Sequence, residues 1–209
     1  MGVDPVQYNF VTKKIDSASY PPPVHETHAI ALAATGDHRA FAWLVGEYKH
    51  MVYTASFRIL RDAQEAEEAT QDTFVKAYQN LSGYQGGSKF STWLFSIAYR
   101  TAISELRKRK VKSTSLEDLG RAEPFVASAD GMERTDRRAA LTRAMGQLSA
   151  EDAAIINFYY QEDLSVEEIV TVTGLGASNV KVKLHRSRKR LMELLQNDLK
   201  QEAWTLIEN

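Results

Sequence analysis

Ser165–Leu195 reads SVEEIVTVTGLGASNVKVKLHRSRKRLMELL and predicts two helices with a tight break between them. Ser165 followed three residues later by Glu168 is a capping box, in which serine oxygen and glutamate carboxylate satisfy each other's backbone N–H groups. The short helix it opens sets Val166, Ile169 and Val170 on one side, and Thr173-Gly174-Leu175-Gly176 ends it with residues suited to a positive φ. From Ala177 a longer helix follows, with Val180, Leu184, Ser187, Leu191 and Leu194 spaced by four and three as a buried stripe. Lys181, Lys183, Arg186, Arg188, Lys189 and Arg190 occupy its other faces with no acid between them. A capped short helix, a glycine turn and a second helix rich in donors make a helix-turn-helix, whose second helix enters a major groove. A basic run alone would be a solvated face; the capped helix and turn upstream favour DNA.

The remaining chain adds helices and breaks. Across 209 residues there is no cysteine, which excludes disulfides and thiolate metal sites, and the net charge of −1 hides a segregation of acids and bases into blocks. No apolar run approaches a membrane span and no secretory leader is evident, so the chain reads as soluble and cytoplasmic. His25 and His28 form an H-x-x-H pair with no further ligand at metal spacing, and read as incidental. Asp37 and Asp62 are N-caps after breaks at Gly36 and Arg61.

The helix from Ala63 to Leu81 points Ala66, Ala69, Thr70, Thr73, Phe74 and Ala77 inward and crowds Glu65, Glu67, Glu68, Gln71 and Asp72 outward. Those acids suit either a solvated, dipole-favoured helix start or a basic partner helix. The glycine-rich loop Ser82–Ser88 leads into a helix from Phe90 to Lys110. Here Tyr84, Lys89, Trp93, Tyr99, Arg100 and Arg107 interleave rings with cations. Such a pattern fits unpaired nucleic acid, where bases stack on rings and cations track the backbone; it equally fits a core helix with a basic end.

The expected fold is all-α: two small helical domains joined by a flexible acidic linker, the second a helix-turn-helix. Residues 1–26 read as a disordered tail, 27–112 as the first domain, 113–136 as the linker, 137–197 as the second domain, and 198–209 as a C-terminal tail. Ser149 with Asp152 is a further capping box, opening a helix from Ala150 to Tyr160.

With both halves in view, the chain resembles an extracytoplasmic-function (group 4) sigma factor of bacterial RNA polymerase, a branch of the sigma-70 family. The resemblance rests on Gly36-Asp37 with Phe41, on Asp62 to Phe74, and on Phe90-Ser91-Thr92-Trp93-Leu94 with the basic run. In the second half it rests on Leu164-Ser165 with Glu168-Ile169, Gly174, Val180 and Leu184-His185-Arg186-Ser187-Arg188. It implies that region 2 binds core polymerase and the minus-10 element, that region 4 binds the minus-35 element, and that the linker threads toward the polymerase cleft.

Asp62, Glu65, Glu68, Gln71, Asp72 and Phe74 would meet the clamp helices of the largest subunit, and region 4 the flap. Tyr84, Lys89, Ser91, Trp93, Tyr99, Arg100, Ser104, Arg107 and Lys108 would take the minus-10 element, holding a base flipped from its stack. Ser178, Asn179, Lys181, Lys183, His185, Arg186, Arg188 and Lys189 would contact the minus-35 duplex. Of these, Lys181, His185 and Arg186 suit base edges, and Lys183, Arg188 and Lys189 suit phosphates. The family type also implies an anti-sigma factor, often membrane-anchored.

Arg100 and Ser104 depart from the asparagine and aspartate that many members carry, and Gly176 gives the recognition helix a weak N-cap. The rival readings are a helix-turn-helix regulator that binds duplex DNA without polymerase, and an enzyme. The second lacks any P-loop, H-E-x-x-H motif, cysteine or glycine-rich nucleotide turn, so no catalytic residue, small-molecule substrate, metal or cofactor is expected.

Overall fold

A computed structural model describes residues 25–113 and 132–207, and every regular element among them is helical. In chain order these are α1 (Glu26–Ala34), α2 (His38–Leu60), α3 (Ala63–Asn80), α4 (Phe90–Ser113), α5 (Met132–Gly146), α6 (Ala150–Tyr160), α7 (Val166–Thr173) and α8 (Ala177–Ile207). By packing the chain divides into a unit ending at Glu47 and a larger one from Tyr48 onward. In the smaller unit Gly36 takes φ +97° and Asp37 Oδ1 accepts from the N–H groups of Arg39 and Ala40 at 2.8 and 3.1 Å, which starts α2 where expected.

The larger unit is built by sequence-local signals. Arg61, at φ +57°, breaks the chain after α2, and Asp62 Oδ1 then accepts from Glu65 N–H at 2.8 Å to start α3. Ala66, Ala69, Thr73, Phe74 and Ala77 form the buried face of α3, as their spacing predicts. A 3-10 turn, Leu81–Gly83, follows before the glycine loop. The capping box of α7 is complete: Ser165 Oγ accepts from Glu168 N–H at 3.1 Å, and Ser165 N–H donates to Glu168 Oε2 at 3.0 Å. Gly174 closes α7 in the left-handed region at φ +74°. At α6 only half of the expected box forms. Ser149 Oγ accepts from Asp152 N–H at 3.1 Å, but the shorter aspartate side chain meets the serine hydroxyl at 2.8 Å instead of the backbone.

Two boundaries differ from expectation. The helix expected to resume at Arg137 begins at Met132, since no glycine or proline interrupts the residues after Gly131. The expected C-terminal tail is largely a continuation of α8, which meets no helix breaker before Ile207. Most of the expected linker (residues 114–131) and of the N-terminal tail (residues 1–24) lie outside the described residues.

Helix α4 is central: it packs along α3 on one side and on α7 on the other, while α5, α6 and α7 all pack on α8. Ile59 and Leu60 of α2, Phe95, Tyr99 and Ala102 of α4, Ile155 and Phe158 of α6, Ile169 of α7 and Leu184 of α8 belong to one buried cluster. Phe158 stands edge-on to both Phe95 and Tyr99, with centroids 5.4 and 6.0 Å away. The two helical domains therefore share a core through α4, which spacing within either domain does not reveal.

Candidate nucleic-acid interface

The outer face of α8 is polar and open. Val180, Leu184, Ser187 and Leu194 are buried, and the opposite face exposes Ser178, Asn179, Lys181, Val182, His185, Arg186 and Lys189. Two of the expected minus-35 residues are held elsewhere. Lys183 Nζ lies 2.7 Å from Glu151 and 3.1 Å from Asp152, acids at the start of α6. Burial disfavours its charge, but the two carboxylates outweigh that and hold its pKa above the ordinary lysine value. The Arg188 guanidinium lies over Tyr159 and Tyr160, 5.6 Å from each ring centroid.

Around the start of α4 the structure gathers rings. Tyr84 approaches Phe90 at 5.5 Å and Trp93 at 5.3 Å, Phe90 lies 5.4 Å from Trp93, and Tyr48 adds an edge to Phe90 at 5.4 Å. The Tyr84 hydroxyl donates to Ser88 O at 2.6 Å, which folds the glycine loop back over the rings. Trp93, Arg100, Ser104 and Arg107 repeat at spacings of seven, four and three, and so share one face of α4. Trp93 is half-buried on that face, whereas Arg100, Ser104 and Arg107 are exposed. Lys108 is exposed and bound to Glu105 at 2.6 Å.

The other face of α4 turns toward the second half. Tyr99, expected among the minus-10 residues, is instead 5 % exposed, because it lies four residues from Phe95 on the face that meets α6. Its hydroxyl donates to Glu151 Oε1 at 3.4 Å, and burial followed by the neighbouring carboxylate drives its pKa well above the ordinary tyrosine value. Ser91 is half-buried. Lys89 pairs with Glu168 at 3.3 Å, and buried Thr92 donates to the same carboxylate at 3.2 Å. The carboxylate that caps α7 thus also grips the start of α4. The hydrogen bond from Ser165 N–H, and then Lys89 and Thr92, hold Glu168 below the usual carboxylate range against a smaller opposing effect of burial.

Two arginines add to this contact. Arg58 pairs with Glu162 at 3.3 Å and donates to Gln161. Arg61 spans the end of α5, donating to the carbonyls of Met145 at 3.0 Å, Leu148 at 3.1 Å and Gly146. Sequence reading missed both. Arg58 lies inside α2 with no local signal, and the only sequence signal at Arg61 is its place in the break before the Asp62 cap.

On α3, Glu68, Gln71 and Asp72 are exposed, and Val75 joins them on that face at 45 % exposure. Glu65 is half-buried and paired with Arg109 at 2.9 Å, and Asp62 serves as the cap. Phe74, expected to meet polymerase, is only 8 % exposed, because its position on α3 faces inward with Ala66 and Ala77. Glu65, Glu68, Gln71 and Asp72 line a hollow of about 470 Å³ with Glu105, Lys108 and Arg109 of α4.

Among the described residues, then, every regular element is helical, and a complete helix-turn-helix with an exposed cationic face is the architecture of a DNA-binding protein. Residues 44–111 match the family model for sigma-70 region 2, and residues 138–191 that for sigma-70 region 4. The chain is 32 % identical over 171 residues to the RNA polymerase sigma-H factor of Pseudomonas aeruginosa, covering 77 % of this chain and 89 % of that protein. It is 29 % identical over 172 residues to the ECF sigma factor SigW of Bacillus subtilis, covering 78 % and 92 %.

Two solved structures share the fold. CnrH in complex with the cytosolic domain of CnrY has a TM-score of 0.60 at 24 % identity, covering 81 % of this chain and 96 % of that one. The sigma factor RpoE with the anti-sigma factor NepR from Bartonella quintana has a TM-score of 0.65 at 22 % identity, covering 76 % and 98 %. The chain belongs to the sigma-70 family of RNA polymerase sigma factors, in its extracytoplasmic-function group. It is an alternative sigma factor, whose partners are core RNA polymerase and promoter DNA.

Proposed function

We propose that α8 reads the minus-35 element as duplex through the exposed face bearing Ser178, Asn179, Lys181, His185, Arg186 and Lys189. The observation that carries this is the complete helix-turn-helix, capped at Ser165, closed at Gly174, and presenting a cationic face opposite its buried stripe. The ring cluster Tyr84–Phe90–Trp93 lies beside the strip Arg100–Ser104–Arg107 and provides stacking and phosphate contact for an unpaired minus-10 strand. The exposed acids Glu68 and Asp72, with Gln71, on α3 form the surface for the clamp helices of core polymerase, with region 4 on the flap. The chain contributes binding and positioning, and the polymerase contributes the chemistry. It works in the cytoplasm, with an anti-sigma factor, often membrane-anchored, as its regulator. No helix among the described residues is long and apolar enough to cross a membrane.

Run-off transcription with core polymerase, the purified chain and a pool of promoter fragments tests this. Discrete transcripts that depend on the chain are expected, and their start sites define both promoter elements. Duplex binding without any polymerase-dependent start would replace this reading with that of a free-standing regulator.

A further inference from the structure

Five large apolar side chains stand out as exposed among the described residues, and Val182, at 45 %, is the one set within the first two turns of α8. At 3.6 residues per turn, Ser178, Asn179, His185 and Arg186 all lie within about 60° of it, and the stripe Val180–Leu184–Leu191 lies nearly opposite. Lys181 and Lys183 fall about 100° to either side. Val182 therefore occupies the crest of the helix, the line that goes deepest into a groove, with polar residues around it and cations on the shoulders. A β-branched residue there gains neither helix propensity nor core packing.

The major groove presents one apolar group, the C5-methyl of thymine. We infer that Val182 is a specificity residue for the minus-35 element, packing its methyl groups on a thymine methyl while Arg186 and its polar neighbours bond base edges. This rests on the sigma reading above and adds the base it selects.

The test uses holoenzyme assembled from core polymerase and the full chain, on a promoter mapped by run-off transcription. Each thymine of the upstream element is replaced singly by deoxyuridine, which deletes the methyl and keeps every hydrogen-bonding group. One position is expected to bind roughly fourfold more weakly, the effect of one buried methyl. Val182→Ala, an exposed change that leaves the core intact, is expected to weaken the thymine promoter by a similar factor and to abolish the uridine penalty at that position. A flat uridine scan, a penalty unchanged in Val182→Ala, or an upstream element without thymine overturns the inference while transcription still proceeds. Loss of all chain-dependent transcription would instead sink the sigma reading; the same uridine scan on the chain's own duplex binding then decides Val182 separately.

Discussion

Helices α4 and α8 both carry side chains suited to DNA, but they are built in opposite ways. In α8 the buried apolar residues keep to one stripe, and the reverse face of its described turns, Val182 included, is open to solvent. In α4 apolar residues run around most of the circumference, so the helix is wedged between α3 and α7 and shows only the strip from Trp93 to Arg107. The difference teaches what each helix can read in this arrangement. A duplex groove can receive α8 as it stands. At α4, buried Thr92 and Tyr99 are already engaged by Glu168 and Glu151, so their use on DNA requires the second half to move away, whereas exposed Lys89 has only its ion pair with Glu168 to leave.

The strongest way to break this contrast is Phe158→Ala. It removes the ring that joins α6 to Phe95 and Tyr99, and a loss of about 3–5 kcal/mol is expected. With Trp43 and Trp204 replaced by phenylalanine, denaturant unfolding followed by Trp93 fluorescence and by helix content should give coincident transitions in the parent and separated ones in the variant. Separated transitions already in the parent would mean that the two halves do not share a core.

Arg186→Ala is expected to cost about 1–3 kcal/mol at one minus-35 base pair, read by competition among single-base promoter variants, with no change in core-polymerase affinity. An equal loss on every sequence would assign Arg186 to a phosphate. Arg61→Ala takes the side-chain donor from the Gly146 and Leu148 carbonyls, while Met145 O keeps Leu148 N–H, at a cost of about 1–3 kcal/mol. Because the chain has no cysteine, a single Thr92→Cys reports the contact: its thiol should react slowly with a maleimide in the parent background and faster with Arg61→Ala. Equal rates would show that Arg61 does not hold the halves together.

The smallest effect is expected from Glu168→Gln, which keeps the cap but loses the charge facing exposed Lys89, for under about 1 kcal/mol. Its signature is in pH. A carboxylate whose pKa is depressed on folding contributes stability that is complete above its unfolded value near ~4.3 and disappears as pH falls through the lower folded value. The parent should therefore lose stability more steeply than Glu168→Gln below that pH. Parallel acid limbs would remove Glu168 from the contact.

What was legible in the sequence was local. Asp37, Asp62, Ser149 and Ser165 each cap a helix as short-range chemistry requires, and the stripe Val180–Leu184–Ser187 is buried as its spacing predicts. Exposure was legible where it follows from period, as with Arg186 and Arg100. It was illegible where long-range packing reassigns a side chain. Tyr99 has ring chemistry suited to a binding surface but sits on a face claimed by the core, and Lys183 is drawn to acids 31 and 32 residues earlier in the chain. No periodicity within α4 or α8 encodes those partners.

Glu168 joins two equilibria that need not move together. Its bond with Ser165 N–H belongs to α7 alone, whereas those with Lys89 and Thr92 belong to the contact with α4. Parting the halves gives up only the second set, and the cap that nucleates α7 stays intact. Release of α4 therefore need not unravel the DNA-reading motif. Parting the halves would also open the core around Phe158 and break the bonds of Arg58, Arg61 and Tyr99, but the cap of α7 would not have to refold.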